Sequence, residues 1–195
     1  SPQNPSVLFN LGSALLEFGD RAEAIVNYRS AILLKPDFAE AYSALGAIYR
    51  DNDEIEQASI SFEKLIEIKP DFIPAYMDLA TLNKLQGKIQ NAIAGYRKVI
   101  DLDPSFTEAY IQLATIYHEE HRVADALNLY RIVYAKDSNQ SLCVFHLSAS
   151  GFVDQSSCFR ELQFQIRELL NSSFTPLPED ILFLRCLWNF SNRCH

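Results

Sequence analysis

One interval governs this chain: residue types return every 34 positions, with Pro36, Pro70 and Pro104 keeping that step alongside Tyr42, Tyr76 and Tyr110. Leu11, Leu45, Leu79 and Leu113 hold it over four cycles, as do Ala24, Ala58, Ala92 and Ala126. An aromatic column (Tyr28, Phe62, Tyr96, Tyr130) and a small-residue column (Gly12, Gly46, Ala80, Ala114) agree with them. Columns of different size and polarity that share one period mark a stacked helical array.

Counted from Pro5, the units are 5–38, 39–72, 73–106 and 107–140. In the second, Tyr42, Leu45, Ile48 and Tyr49 recur at helical spacing and share one face. Asp51, Asn52 and Asp53 interrupt it, and Ala58, Phe62, Leu65 and Ile66 then form a second apolar face. That helix stops before Lys69 and Pro70, because proline lacks the helix donor and turns its predecessor from helical angles. Gly46 and Ala58 are small where two antiparallel helices must approach. Each unit is a helical hairpin whose surplus apolar surface is buried by the next one. Ser105 to Glu108 reads as a capping box, Asp37 to Glu40 as a close relative, and Asp71 as a cap with Pro74 in the first turn. Turns fall at Gly19–Asp20, Asp51–Asp53, Gln86–Gly87 and Glu120–His121.

The 195 residues carry a formal charge of −8, of which residues 1–140 supply −7 (13 Lys+Arg against 20 Asp+Glu). An acidic array without a basic stripe speaks against binding a phosphate backbone, so no nucleic-acid partner is expected. No apolar run approaches the roughly 20 residues of a spanning helix, so no membrane partner is expected either. Residues 141–195 read as a degenerate helical extension that holds every cysteine (143, 158, 186 and 194). The run 179–190 is apolar nearly all round, as in a buried helix, and the expectation is that its covering partner lies in sequence beyond His195.

Chemistry-bearing residues are sparse. Cys143 and His146 share a helical face but lack the four ligands of a structural zinc site, so they read as ordinary side chains. His118 and His121, beside Glu119 and Glu120, read as a solvated helix end rather than a metal pair. There is no phosphate-cradling glycine loop, nucleophile elbow or HExxH. No catalytic residue, metal or cofactor is expected. Four cysteines without a disulfide framework suit a reducing cytoplasm.

The pattern Leu8, Leu11, Gly12, Leu15, Gly19, Ala24, Tyr28, Ala31, Pro36, repeated downstream, resembles the tetratricopeptide repeat family over residues 5–140. Asn83 in an apolar column, His121 in a glycine column and Ser138 in the proline column depart from it. The resemblance implies an all-α, right-handed solenoid of antiparallel hairpins whose first helices line a concave groove for extended peptides. By helical phase the inward residues are Phe9, Asn10, Ser13 and Leu16, then Ser43, Ala44, Ala47 and Arg50. Met77, Asp78, Thr81 and Lys84 follow, then Ile111, Gln112, Thr115 and His118. Phe9, Met77 and Ile111 are expected to offer apolar pockets, and Asn10, Asp78 and Gln112 to hydrogen-bond a peptide backbone. The lysine–asparagine carboxylate clamp of chaperone-binding arrays is not expected, since Phe9/Ser13, Ser43/Ala47 and Met77/Thr81 stand at its positions. Asn10, Leu11 and Gly12 also resemble the asparagine-lined repeats of O-GlcNAc transferase-like proteins. Two functions follow: a non-catalytic scaffold for a peptide or protein partner, or the substrate-recruiting arm of a larger glycosyltransferase-like enzyme. Uncapped solenoid ends imply self-association besides.

Overall fold

The computed structural model describes residues 4–136, so the expected extension over 141–195, with Cys143, His146 and the run 179–190, lies outside the described residues. Eight helices follow one another: α1 (Pro5–Glu17), α2 (Arg21–Leu34), α3 (Ala39–Asp51), α4 (Ile55–Ile68), α5 (Ile73–Leu85), α6 (Ile89–Leu102), α7 (Thr107–Glu119) and α8 (Val123–Lys136). No strand occurs among the described residues. The chain divides after Pro104 into two compact units, α1–α6 in the first and α7–α8 in the second. In the first unit α1 packs on α2, α3 on α4 and α5 on α6, while α2 against α3 and α4 against α5 join the hairpins. In the second unit α7 packs on α8.

Each hairpin turns through one local device. At the end of α1 the Gly19 N–H donates to the Leu16 carbonyl and the Asp20 N–H to that of Leu15. The same pair of bonds closes α3 (Asp53 to Arg50, Glu54 to Tyr49), α5 (Gly87 to Lys84, Lys88 to Asn83) and α7 (His121 to His118, Arg122 to Tyr117). This Schellman arrangement satisfies the last carbonyls of the helix and needs a left-handed conformation at the first of the two donor residues. Gly19 (φ 89°), Asp53 (59°), Gly87 (71°) and His121 (61°) supply it. A left-handed L-residue costs about 1–2 kcal/mol, while glycine gives back about 0.5–1 kcal/mol in chain entropy. His121→Gly is therefore expected to stabilise the second unit by about 0.5–1 kcal/mol in urea unfolding, and Asp53→Gly by less, because a short Asp tolerates this region. A loss of stability in His121→Gly would show that the imidazole makes a compensating contact.

Helix starts differ from the sequence expectation. The N-cap residues of α3, α5 and α7 are Phe38, Phe72 and Phe106, and none makes a side-chain capping hydrogen bond. The boxes expected from Ser105, Asp37 and Asp71 thus begin one position early. A phenylalanine that packs inward, as Phe38 does against Ala31 and Ala41, outweighs the roughly 1 kcal/mol of a polar cap. Side-chain caps occur at α1 and α2, where Asn4 accepts from the Ser6 N–H and Asp20 from the Glu23 N–H, whereas Glu54 and Lys88 at the starts of α4 and α6 make none.

The core follows the columns. Tyr28, Phe62, Tyr96 and Tyr130 are all buried, as are Ala24, Ala58, Ala92 and Ala126. A methyl group on Gly46 would stand 2.7 Å from Cε1 of Phe62, and one on Gly12 would stand 2.9 Å from Cε1 of Tyr28. In the third hairpin the small residue changes sides. Ala80 occupies the glycine column, and Gly95 opposite it leaves room, since a methyl there would lie 2.8 Å from the Ala80 Cβ.

Candidate functional site

In the first unit the expected inward residues sit on α1, α3 and α5, and several are already engaged within the chain. Phe9 stacks in tilted contact with Tyr28 and Phe38, at ring-centroid distances of 5.4 and 5.2 Å. It is a wall of the core, not the open pocket expected. Ser13 Oγ donates to the Phe9 carbonyl and lies 3.1 Å from the Tyr28 hydroxyl. Thr81 repeats this on α5, donating to the Met77 carbonyl and lying 3.0 Å from the Tyr96 hydroxyl. A hydroxyl that gives its proton to a carbonyl can still accept one, so each buried tyrosine donates into a short chain ending on the helix backbone.

That pairing was missed from sequence although a signal existed. The partners stand fifteen apart, and the position is Ser13 opposite Tyr28, Thr81 opposite Tyr96, but Ala47 opposite Phe62. Where the ring lacks a hydroxyl, the facing residue lacks one too. Ser13 and Thr81 thus satisfy buried polar atoms, a role that Ala47 opposite Phe62 does not have.

Arg50 on α3 reaches Asp78 on α5 with Nη1 at 2.6 Å from Oδ1, and also bonds Asp51 at 3.1 Å. Burial disfavours the Arg50 charge, but the bonds to Asp78 and Asp51 outweigh it and hold the guanidinium above its ordinary range. Asp78 was expected to accept from a bound backbone, and its carboxylate is instead occupied by Arg50. A pair this exposed contributes little stability by itself, and it links α3 to α5 on this flank. Ser43, Ala44, Ala47, Met77 and Lys84 are half-buried, and Asn10 is exposed with no side-chain partner among the described residues.

In the second unit Ile111 is buried and belongs to the core, so the apolar pocket expected there is corrected. Thr115 Oγ1 donates to the Ile111 carbonyl, and the Gln112 amide donates to Glu108 at 2.6 Å, which ties back the group expected to meet a peptide. His118 is half-buried, and its pKa is lowered by burial and by His121, against an opposing pull from Glu119. The unfolded chain therefore takes up the proton first, and stability should fall as pH drops below the ordinary value of 6.5. Melting temperature measured from pH 8 downward is expected to be level above about 7 and to decline below it, with a smaller decline in His118→Gln. An unaltered profile in that variant would assign the decline to other groups. Among the described residues no group of His, Cys, Asp and Glu is placed to hold a metal ion.

Residues 14–53 match a family model described as TPR repeat, and residues 39–72 and 73–106 each match one described as Tetratricopeptide repeat. The fold is a tetratricopeptide-repeat (TPR) solenoid. Among solved structures, the TPR array is similar to the crystal structure of MamA, with a TM-score of 0.66 at 25% identity over 73% of this chain and 83% of that one. It is also similar to YrrB, described as a TPR protein with an unusual peptide-binding site, at TM-score 0.66 and 17% identity over 95% of this chain and 90% of that one. The first TPR of Spaghetti (RPAP3), bound to the HSP90 peptide SRMEEVD, aligns at TM-score 0.56 and 20% identity over 62% of this chain and 96% of that one. The last two likenesses are likenesses of fold alone. No curated protein matches the chain. These comparisons lend no support to the resemblance to O-GlcNAc transferase-like repeats.

Proposed function

We propose that this chain is a non-catalytic interaction scaffold that holds an extended peptide, or an equivalent segment of a partner protein, along the flank of α1, α3 and α5. The observation that carries this reading is the set of groups the core leaves available there: Ser43, Ala47 and Met77 half-buried, with the Asn10 amide exposed and unbonded among the described residues. Small Ser43 and Ala47 leave room for a ligand side chain, and Met77 adapts to irregular shapes. The Arg50–Asp78 pair neutralises itself, so the flank makes little demand for a charged ligand. Recognition then rests on backbone hydrogen bonds and one or two apolar anchors, with affinity limited by the cost of ordering the segment. Structural neighbours described as having a peptide-binding site (YrrB) or as bound to a peptide (RPAP3) support the reading as analogues of fold. The cytoplasm is the compartment we propose, on the four unframed cysteines; among the described residues no helix is long and apolar enough to cross a membrane.

The test is fluorescence anisotropy with a library of extended peptides. Met77→Ala is expected to weaken the best binders by about tenfold, and Ala47→Leu, which fills the space beside Ser43, by at least as much. Phe9 is a poor probe, because its removal disturbs the packing of Tyr28 and Phe38. Unchanged affinity in both variants would remove the flank as the binding surface.

A further inference from the structure

Lys64–Glu67 and Arg122–Asp125 are ion pairs between residues three apart in sequence. Arg50–Asp78 is of another kind. It crosses from α3 to α5, with Ala47 one turn before Arg50 and Met77 next to Asp78. The guanidinium is held at three points, Nη1 on Asp78 Oδ1 at 2.6 Å, and Nε and Nη2 on Asp51 Oδ1 at 3.2 and 3.1 Å. Its orientation is therefore set before any ligand arrives, although a pair 40% and 29% exposed adds little to stability.

These bonds leave hydrogen-bonding capacity on both sides of the contact. A guanidinium has five N–H donors and three are used, so one remains on each terminal nitrogen. Asp78 Oδ2 accepts no bond among the described residues. An unused donor and an unused acceptor thus stand together on the flank proposed to hold the ligand. Charge narrows what fits them. A ligand carboxylate has no proton for Asp78 and meets the charges of both Asp51 and Asp78. An ammonium has no acceptor for Arg50 and meets its positive charge. A neutral amide offers a carbonyl to Arg50 and an N–H to Asp78 at once, and bonds to ionised partners are the stronger kind. Two sources present both groups on one edge: the carboxamide of Asn or Gln, and a residue of extended backbone, whose own N–H and C=O point the same way.

We propose that Arg50 and Asp78 together form an amide-reading site, Arg50 donating to a ligand carbonyl and Asp78 Oδ2 accepting from the N–H beside it. The site rests on the flank being the peptide surface, and it makes these two residues the ones that set specificity there. Fluorescence anisotropy on the 195-residue chain with the tightest-binding library peptide tests it. Arg50→Ala and Asp78→Ala are each expected to weaken that peptide by about tenfold with an unchanged melting curve, and the double variant by less than the product of the two. Asp78→Asn, which keeps an acceptor oxygen, should retain more affinity than Asp78→Ala. Two peptide series locate the amide: single backbone esters, each removing one N–H, and Met in place of each Asn or Gln. One change in one series should cost about tenfold against the wild-type chain and nothing against Asp78→Ala, a cancellation that a merely structural pair would not give. Full affinity in Arg50→Ala and Asp78→Ala, or a peptide penalty that persists in Asp78→Ala, would overturn the site. If Met77→Ala still weakens the peptide in that case, the flank stands without it. If no library peptide binds, or Met77→Ala and Ala47→Leu change nothing, flank and site fall together.

Discussion

Phe62→Ala is expected to destabilise the first unit by about 3–5 kcal/mol, read from the shift of its urea transition. Phe62 is 2% exposed, and its ring lies over Gly46, which has no side chain to move into a void. The cavity would therefore stay largely open between α3 and α4, and the full cost of deletion should appear. The companion change, Gly46→Ala, is expected to cost about 1–3 kcal/mol, because overpacking against a buried ring outweighs the roughly 1 kcal/mol that alanine gains in helix propensity. Combined with Phe62→Leu, which withdraws the ring atoms nearest Gly46, the alanine should cost less than it does alone. A loss of less than about 1 kcal/mol for Phe62→Ala would mean that the hairpin collapses onto Gly46 and that the ring is not its main filler.

Phe62→Tyr tests the hydroxyl pairing without changing the ring. Added alone, the hydroxyl is buried opposite Ala47 and finds no acceptor, which costs about 1–3 kcal/mol. Ala47→Thr supplies the acceptor that Thr81 gives Tyr96 in the next hairpin. The double variant is expected to recover at least about 1 kcal/mol of the single loss, a coupling measured by a double-mutant cycle. Additive behaviour would show that the two positions do not meet in the second hairpin as they do in the first and third. The peptide measurement belongs beside it, because Ala47 is also a proposed contact: a stable double variant with weakened binding would separate the two roles.

The helices were legible in the sequence because their evidence is periodic. Columns such as Tyr28, Phe62 and Tyr96 repeat the same burial in successive hairpins, and repetition averages out local exceptions. The left-handed turn at Asp53 and His121 was legible only by position, since neither residue type announces it, while Gly19 and Gly87 do so in the same column. Helix starts were misplaced by one residue. The polar residues Asp37, Asp71 and Ser105 carry a local capping signal, whereas Phe38, Phe72 and Phe106 stand at the caps, and the core packing of Phe38 and Phe72 is something no local rule contains. The candidate flank was legible in direction but not in reach. Helical phase places Asp78 and Arg50 on one side, yet a phase cannot say that the two side chains span the gap between α3 and α5 and close on each other. The same holds for Phe9, whose direction is inward but whose neighbours, Tyr28 and Phe38, come from other segments of the chain.

The alanines at 41 and 75 have a consequence for how such a chain changes length. Each is fully buried at the joint with the preceding hairpin, so a duplicate of residues 39–72 spliced in after residue 72 would bring Ala41 to the surface that now receives Ala75. The seam would then match on both sides within the first unit, so a module duplicated there would keep the fit of that joint.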